Sequence, residues 1–209
     1  IWNSSKKYTG TFDGQNHTIS GLYFNDDNAE NVGLFGYISY GTIKNIGITN
    51  SYLKGKKCVG SVCGYSDSDD YRGSQIINCY NNASTVSGSN DYIGGICGYN
   101  YKSTIKNNYN TGTVSGSSRI GGICGYNQDG KVLNSYNAGM ISGKCSGGIC
   151  GEAYNGSFLN CYSHSSYKDN VVGAEYYTVT NKNCGVKSSE QFKSGEVAYL
   201  LGGIWGQKI

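Results

Sequence analysis

At 209 residues the chain is long enough for one domain or two small ones, and it carries 33 glycines, nine cysteines and no proline. Its net charge is +3, with charged residues at 15% and the lysines scattered, whereas a nucleic-acid partner would want a clustered basic stripe. No stretch approaches an apolar membrane span, so membrane insertion is not expected either.

The chain opens on Ile1-Trp2-Asn3, without Met, signal peptide or targeting motif, and ends on Gln207-Lys208-Ile209; it reads as a piece of a longer protein. A five-residue signature then recurs: Gly33-Leu34-Phe35-Gly36-Tyr37, Ser61-Val62-Cys63-Gly64-Tyr65, Gly95-Ile96-Cys97-Gly98-Tyr99, Gly122-Ile123-Cys124-Gly125-Tyr126 and Gly148-Ile149-Cys150-Gly151-Glu152. From Phe35 through the four cysteines the steps are 28, 34, 27 and 26 residues. A period in this range marks a repeat architecture whose units bury their apolar faces against their neighbours. Each signature is followed by an apolar run ending in Asn: Ile43-Lys44-Asn45, Ile76-Ile77-Asn78, Ile105-Lys106-Asn107, Val132-Leu133-Asn134, Phe158-Leu159-Asn160. The middle units add a third run, Thr85-Val86-Ser87-Gly88, Thr113-Val114-Ser115-Gly116 and Met140-Ile141-Ser142-Gly143. Short β-branched and aromatic runs parted by Gly, Asn, Asp and Ser read as strands and turns. Three such strands per unit make one coil of a parallel β-solenoid, with coils about 4.8 Å apart. The missing proline fits, because nearly every backbone N–H is needed for a ladder.

The predicted fold is all-β: a right-handed parallel β-solenoid (β-helix) of about seven or eight coils from about Thr9 to Val179, closed by a short helical cap. It is read as a single domain over residues 1–209, with a lead-in coil at 1–32, repeats at 33–172, and a last strand and cap at 173–209. Ser188-Ser189-Glu190-Gln191 has capping-box character, giving a helix to about Lys193 and a second from Glu196 to Leu201. Phe192, Val197, Leu200, Leu201, Ile204 and Trp205 are expected to cover the last coil.

The repeat positions define columns. Cys63, Cys97, Cys124 and Cys150 are expected to stack as a buried, unbridged and metal-free ladder, since free Cys packs as a small hydrophobe and no CxxC occurs. Stacked equivalents lie slightly too far apart for a relaxed disulfide. Cys79 and Cys161, like Cys58 and Cys145, share positions three units apart. Cys161 and Cys184 lie close to one coil apart and are the disulfide candidate. Asn45, Asn78, Asn107, Asn134 and Asn160 are expected to form a structural amide ladder at a left-handed corner. Tyr37, Tyr65, Tyr99 and Tyr126 form one aromatic column. Tyr80, Tyr109, Tyr136 and Tyr162 form another; such columns read either as edge packing with the hydroxyl at the surface or as an aromatic face that stacks on sugar rings or on another protein, and the second row is the candidate ligand face. The lengthened unit after Gly60 carries Asp67, Asp69 and Asp70, oxygen ligands that could hold Ca²⁺; no other cofactor is expected. Asp13 is explained by a turn. Outside the aspartate cluster no strand segment offers two converging carboxylates, so catalysis is not expected.

The tract Val32-Gly33-Leu34-Phe35-Gly36, followed by Gly41-Thr42-Ile43-Lys44-Asn45-Ile46, resembles the GLUG repeat of bacterial surface proteins, found also in IgA-specific metallopeptidases and adhesin-like proteins. Gly10–Leu22 resembles the segment leading into such arrays. The tail from Glu190-Gln191-Phe192 to Trp205-Gly206-Gln207 resembles the segment that closes them in Firmicutes. The resemblance implies an extracellular module, secreted or cell-wall attached and without catalysis of its own, that serves as a spacer or presents an adhesive face. The implied partners are a host or bacterial surface glycan or protein, or further copies of the chain. Two rivals are a protomer of a surface filament or layer, and a carbohydrate-active β-helix enzyme. The family carries no agreed ligand, so no binding residue transfers, and the heavy cysteine load departs from its pattern.

Overall fold

In the structure, a computed structural model that describes residues 6–69, 73–164, 166 and 169–202, the chain winds as a parallel β-solenoid of about six turns. Each turn contributes to three sheets. The first holds the signature strands Phe35–Ser39, Cys63–Asp67, Cys97–Tyr101, Cys124–Gln128, Cys150–Tyr154 and Val172–Tyr176, in that spatial order. Its register keeps equivalents together: Phe35 pairs with Cys63, Cys63 with Cys97, Cys97 with Cys124 and Cys124 with Cys150. The second sheet runs from Thr11–Ser20 through Thr42–Thr49, Lys131–Asn137 and Ser157–His164 to Thr180–Lys182 and Gly185–Lys187. The third is built from Tyr23–Asn25 to Ile141–Gly147, with Thr85–Gly94 and Thr113–Gly121 as its long members. All pairings are parallel, as coil-on-coil stacking requires.

Two apolar cores run along the axis. The larger lies between the first and second sheets and joins the four cysteines to Ile43, Ile76, Ile105, Val132 and Phe158. The smaller is enclosed by the third sheet and joins Leu53, Val86, Val114 and Ile141 to Val59, Ile93 and Ile120. Only a glycine column lets the backbone cross between them. An added Cβ would sit 2.4 Å from Asn31 C at Gly64 and 2.5 Å from Cys58 C at Gly98. The matching distances are 2.4 Å from Ile93 N at Gly125 and 2.3 Å from Arg119 C at Gly151. The glycine of the signature is thus a close-approach residue, fixed by backbone meeting backbone.

Three expectations are corrected. The expected seven or eight coils come out as about six complete turns: six strands stack in the signature sheet, and the second sheet, which starts earlier and ends later, stacks seven levels from Thr11–Ser20 to Thr180–Lys182 and Gly185–Lys187. The last coil extends past Val179 to Lys187, with Lys182-Asn183-Cys184 repeating the pattern of Leu159-Asn160-Cys161. Helices α1 (Ser189–Lys193) and α2 (Glu196–Leu201) fall where the pattern put them, and Ser188 and Gln191 exchange both capping-box bonds. They do not plug the end of the solenoid, however. Val197 and Leu201 bury Tyr162 on the outward side of the second sheet, with Tyr136, Phe192 and Leu200 packed alongside. Ile204 and Trp205 lie outside the described residues.

Candidate functional site

The amide column is the most regular polar feature. Every member sits in the left-handed region, with φ 57, 55, 58, 46 and 51° at Asn45, Asn78, Asn107, Asn134 and Asn160. Asn183, unrecognised in the sequence pattern, adds a sixth at φ 52°. Each side-chain amide donates to the one before it: Asn183 to Asn160 at 3.3 Å, Asn160 to Asn134 at 3.0 Å, Asn134 to Asn107 at 3.3 Å, Asn107 to Asn78 at 3.0 Å and Asn78 to Asn45 at 2.9 Å. A row with this polarity needs a pure acceptor at its start. Asp13 supplies it, taking the Asn45 amide at 2.9 Å and pairing with Lys44 at 3.1 Å. The turn explanation for Asp13 holds for its bond from Gln15 N, but its larger role is to end the ladder.

Those bonds, the Asn45 amide first and then Gln15 N and Lys44, hold the Asp13 carboxyl at about 2 against its ordinary 3.8. A depressed folded-state pKa means that the contribution is complete above the ordinary value and is lost as pH falls from about 4 to about 2. Protection of the amides in Thr11–Ser20, taken relative to their intrinsic exchange rates, is therefore expected to fall across that window, and Asp13→Asn should remove the response. An unchanged pH profile in the variant would refute the assignment.

The four column cysteines are fully buried, and all nine cysteines of the chain are free thiols. Each column thiol donates to the carbonyl two residues on: Cys63 to Tyr65 at 3.1 Å, Cys97 to Tyr99 at 3.3 Å, Cys124 to Tyr126 at 3.0 Å and Cys150 to Glu152 at 3.1 Å. Burial pushes the Cys97 and Cys150 thiols well up. Among the described residues no three His, Cys, Asp or Glu side chains group so as to hold a metal ion. Of the calcium candidates, Asp67 accepts the Tyr37 hydroxyl and pairs with Lys7 at 3.5 Å. Asp69 meets the Tyr40 hydroxyl through its backbone N–H, and Asp70 lies outside the described residues.

The tyrosine rows differ from the expected ligand face. Tyr80, Tyr109 and Tyr136 stack on one another, with centroids 4.9 and 5.2 Å apart and planes 5° and 4° from parallel. Tyr80 lies over Gly47, whose Cβ would fall 2.1 Å from the ring, and Tyr136 meets Phe192 at 5.9 Å. The ring faces are thus turned to protein, and the row offers edges and hydroxyls outward. Tyr162, the fourth candidate, is 4% exposed beneath α2 and leaves this face.

The other row carries the richer chemistry. Tyr37, Tyr65, Tyr99 and Tyr126 are half-buried on the first sheet at centroid spacings of 4.8, 4.6 and 5.0 Å. Tyr92 lies over Tyr99 and Tyr126 at 5.3 and 5.1 Å, and takes Lys57 and Arg119 over its own ring at 5.1 and 5.4 Å. Burial pushes the Tyr126 hydroxyl up to about 12. Arg119 Nε binds Glu152 at 2.8 Å and its Nη1 binds Asp91 at 3.1 Å, so two carboxylates do converge, through a shared guanidinium. Sequence reading missed this group, although two signals were present. Glu152 stands where the signature otherwise carries Tyr, and Tyr92 and Arg119 hold the left-handed turn position of Cys58 and Cys145, with φ 67, 55, 53 and 44°.

Comparison with known proteins agrees with this architecture. A family model described as the GLUG motif matches residues 89–115. Halomucin of Haloquadratum walsbyi is 36% identical over 96 residues, which are 46% of this chain and 1% of halomucin, so the chain spans a very small part of that relative. The crystal structure of a Bacteroides ovatus protein, assigned provisionally as an immunoglobulin A1 protease, superposes with a TM-score of 0.57 at 19% identity. That match covers 90% of this chain and 72% of the other, and at such identity it shows the fold alone. The chain therefore carries a GLUG motif in a parallel β-solenoid. A source in Firmicutes finds no support, since halomucin is archaeal.

Proposed function

We propose that this chain is a non-catalytic extracellular repeat module of a surface protein, secreted or cell-wall attached, which spaces or presents a ligand-facing surface. The observation that carries the reading is that its chemically able side chains are spent on holding the coils together. The amides bond along the axis, the thiols cap carbonyls, and the acids face cations: Asp13 with Lys44, Asp27 with Lys54, Asp67 with Lys7, Glu196 with Lys187. The GLUG motif and the partial likeness to halomucin support the same reading. The face best suited to a surface glycan or protein is the Tyr92–Arg119 group, where aromatic edges, a cation and two carboxylates lie together.

A carbohydrate-active enzyme is the second reading, because Asp91 and Glu152 meet across Arg119 on an aromatic face, and glycosidases use paired carboxylates. The purified chain should therefore be tested on a glycan array and a polysaccharide-hydrolysis panel. Binding without turnover, weakened by Arg119→Ala, is expected. Turnover lost on replacing Asp91 or Glu152 would reverse the ranking.

A further inference from the structure

A cleft of about 460 Å³ opens beside the last coil, lined by Asn160, Tyr162, Asn183, Cys184, Lys187 and Leu200 among others. Cys184 reaches it half-buried, with Cys161 fully buried behind. The two cysteines hold one position in successive coils, since Leu159 pairs with Lys182 before them and Tyr162 with Gly185 after them. In the reduced state each thiol donates to backbone carbonyls, Cys161 to Val132 O at 3.3 Å and Leu159 O at 3.5 Å, and Cys184 to Lys182 O at 3.4 Å.

We propose that Cys161 and Cys184 form a dithiol that closes to a disulfide by exchange with a small disulfide entering this cleft, locking the last coil onto the one before. The Cys184 thiolate attacks one sulfur of the small disulfide, whose S–S bond breaks; a mixed disulfide forms and one small thiol leaves. Cys161 loses its proton and attacks the Cys184 sulfur, releasing the second small thiol. Two protein thiols are oxidised by two electrons, and one small disulfide is reduced to two thiols.

The roles follow from the setting. Burial keeps Cys161 protonated, and the neighbouring Cys161 thiol draws the Cys184 thiol below its usual value. Lys187 adds a positive charge to the cleft, although it also pairs with Glu196 at 2.8 Å. An accessible, low-pKa thiol beside a resolving thiol is the arrangement of redox-responsive cysteine pairs. The Cys63–Cys150 column has the same stacking but a different freedom. Stacked strands lie about 4.8 Å apart and a disulfide wants its Cβ atoms at about 3.8 Å, so closure needs a shift of about 1 Å. The column is fixed by coils on both sides. Among the described residues Thr180–Lys182 and Gly185–Lys187 pair with Ser157–His164 on one side only, and the former is wholly exposed.

The test is native incubation of the chain with oxidised glutathione, followed by alkylation, peptide mass mapping and hydrogen exchange. A Cys161–Cys184 linked peptide is expected, with exchange in 180–187 slowed roughly tenfold or more. Cys184→Ser, at an accessible site, should fold and lose both responses, and Cys161→Ser should trap glutathione on Cys184. Cys63, Cys97, Cys124 and Cys150 should be alkylated only after unfolding. A wild-type chain that keeps a glutathione adduct on Cys184 beside a free Cys161, or that reacts at Cys145 alone, would overturn the proposal.

Discussion

Gly98→Ala is expected to cost about 3 kcal/mol or more, enough to prevent folding of the coils around it. The new Cβ would lie 2.5 Å from Cys58 C and 2.6 Å from both Val59 N and Gly64 O, all backbone atoms. A crowded side chain can rotate away, but these atoms are held by strand pairing on two sides: Val59 pairs with Ile93, and Cys97 with Cys63. Relief would require moving one coil against another. Because each coil rests on its neighbours, the damage should spread along the solenoid rather than stay local. Gly185→Ala is the control, since no atom lies within 4 Å of its added Cβ, and it should change stability by less than about 0.5 kcal/mol. Urea midpoints for the two variants decide the matter; a Gly98→Ala midpoint equal to that of the parent would disprove the close approach.

Asn110→Ala should be the next most costly change, at about 2–4 kcal/mol. Asn110 is fully buried and forms four bonds. Its amide donates to Asn137 Oδ1 at 2.8 Å and Gly112 O at 3.1 Å, and its Oδ1 accepts from Asn81 at 2.7 Å and Gly112 N at 3.2 Å. Truncation strands the Asn81 amide and the Gly112 N–H, and leaves Asn137 Oδ1 with Gly139 N alone; Asn81 and Asn137 are sealed from water, and burying a donor unpaired is what makes the loss large. Asn107→Ala removes bonds of the outer row, where water can replace them, so it should cost less despite its left-handed backbone. Equal losses for the two variants would show that burial is not the deciding factor.

The solenoid was legible because its cause is local and repeated. A signature returning every 26–34 residues, with Cys or Phe inward and Gly beside it, can satisfy its strands only by stacking equivalents. The capping box at Ser188 and the αL stop at Gly195 were equally legible, since a helix end is decided by its own few residues. The ends of the amide ladder were not, although Asn183 repeats Asn160. The polarity that requires Asp13 exists only once all six amides point the same way.

The sequence by itself therefore determined the coil, its three strands, its inward and outward columns and the amides at its corners, because a two-residue alternation and a fixed period leave one way to bury the apolar face. Only the tertiary structure decided what the outward columns became. Whether a tyrosine shows its face, its edge or nothing depends on which side chain or helix lies on it. Phe192 and α2 close over Tyr136 and Tyr162, Tyr92 folds onto Tyr99 and Tyr126, and Arg119 draws Asp91 and Glu152 together from three different coils. Those meetings depend on the stagger between coils and on side chains leaning across it, which no single repeat encodes.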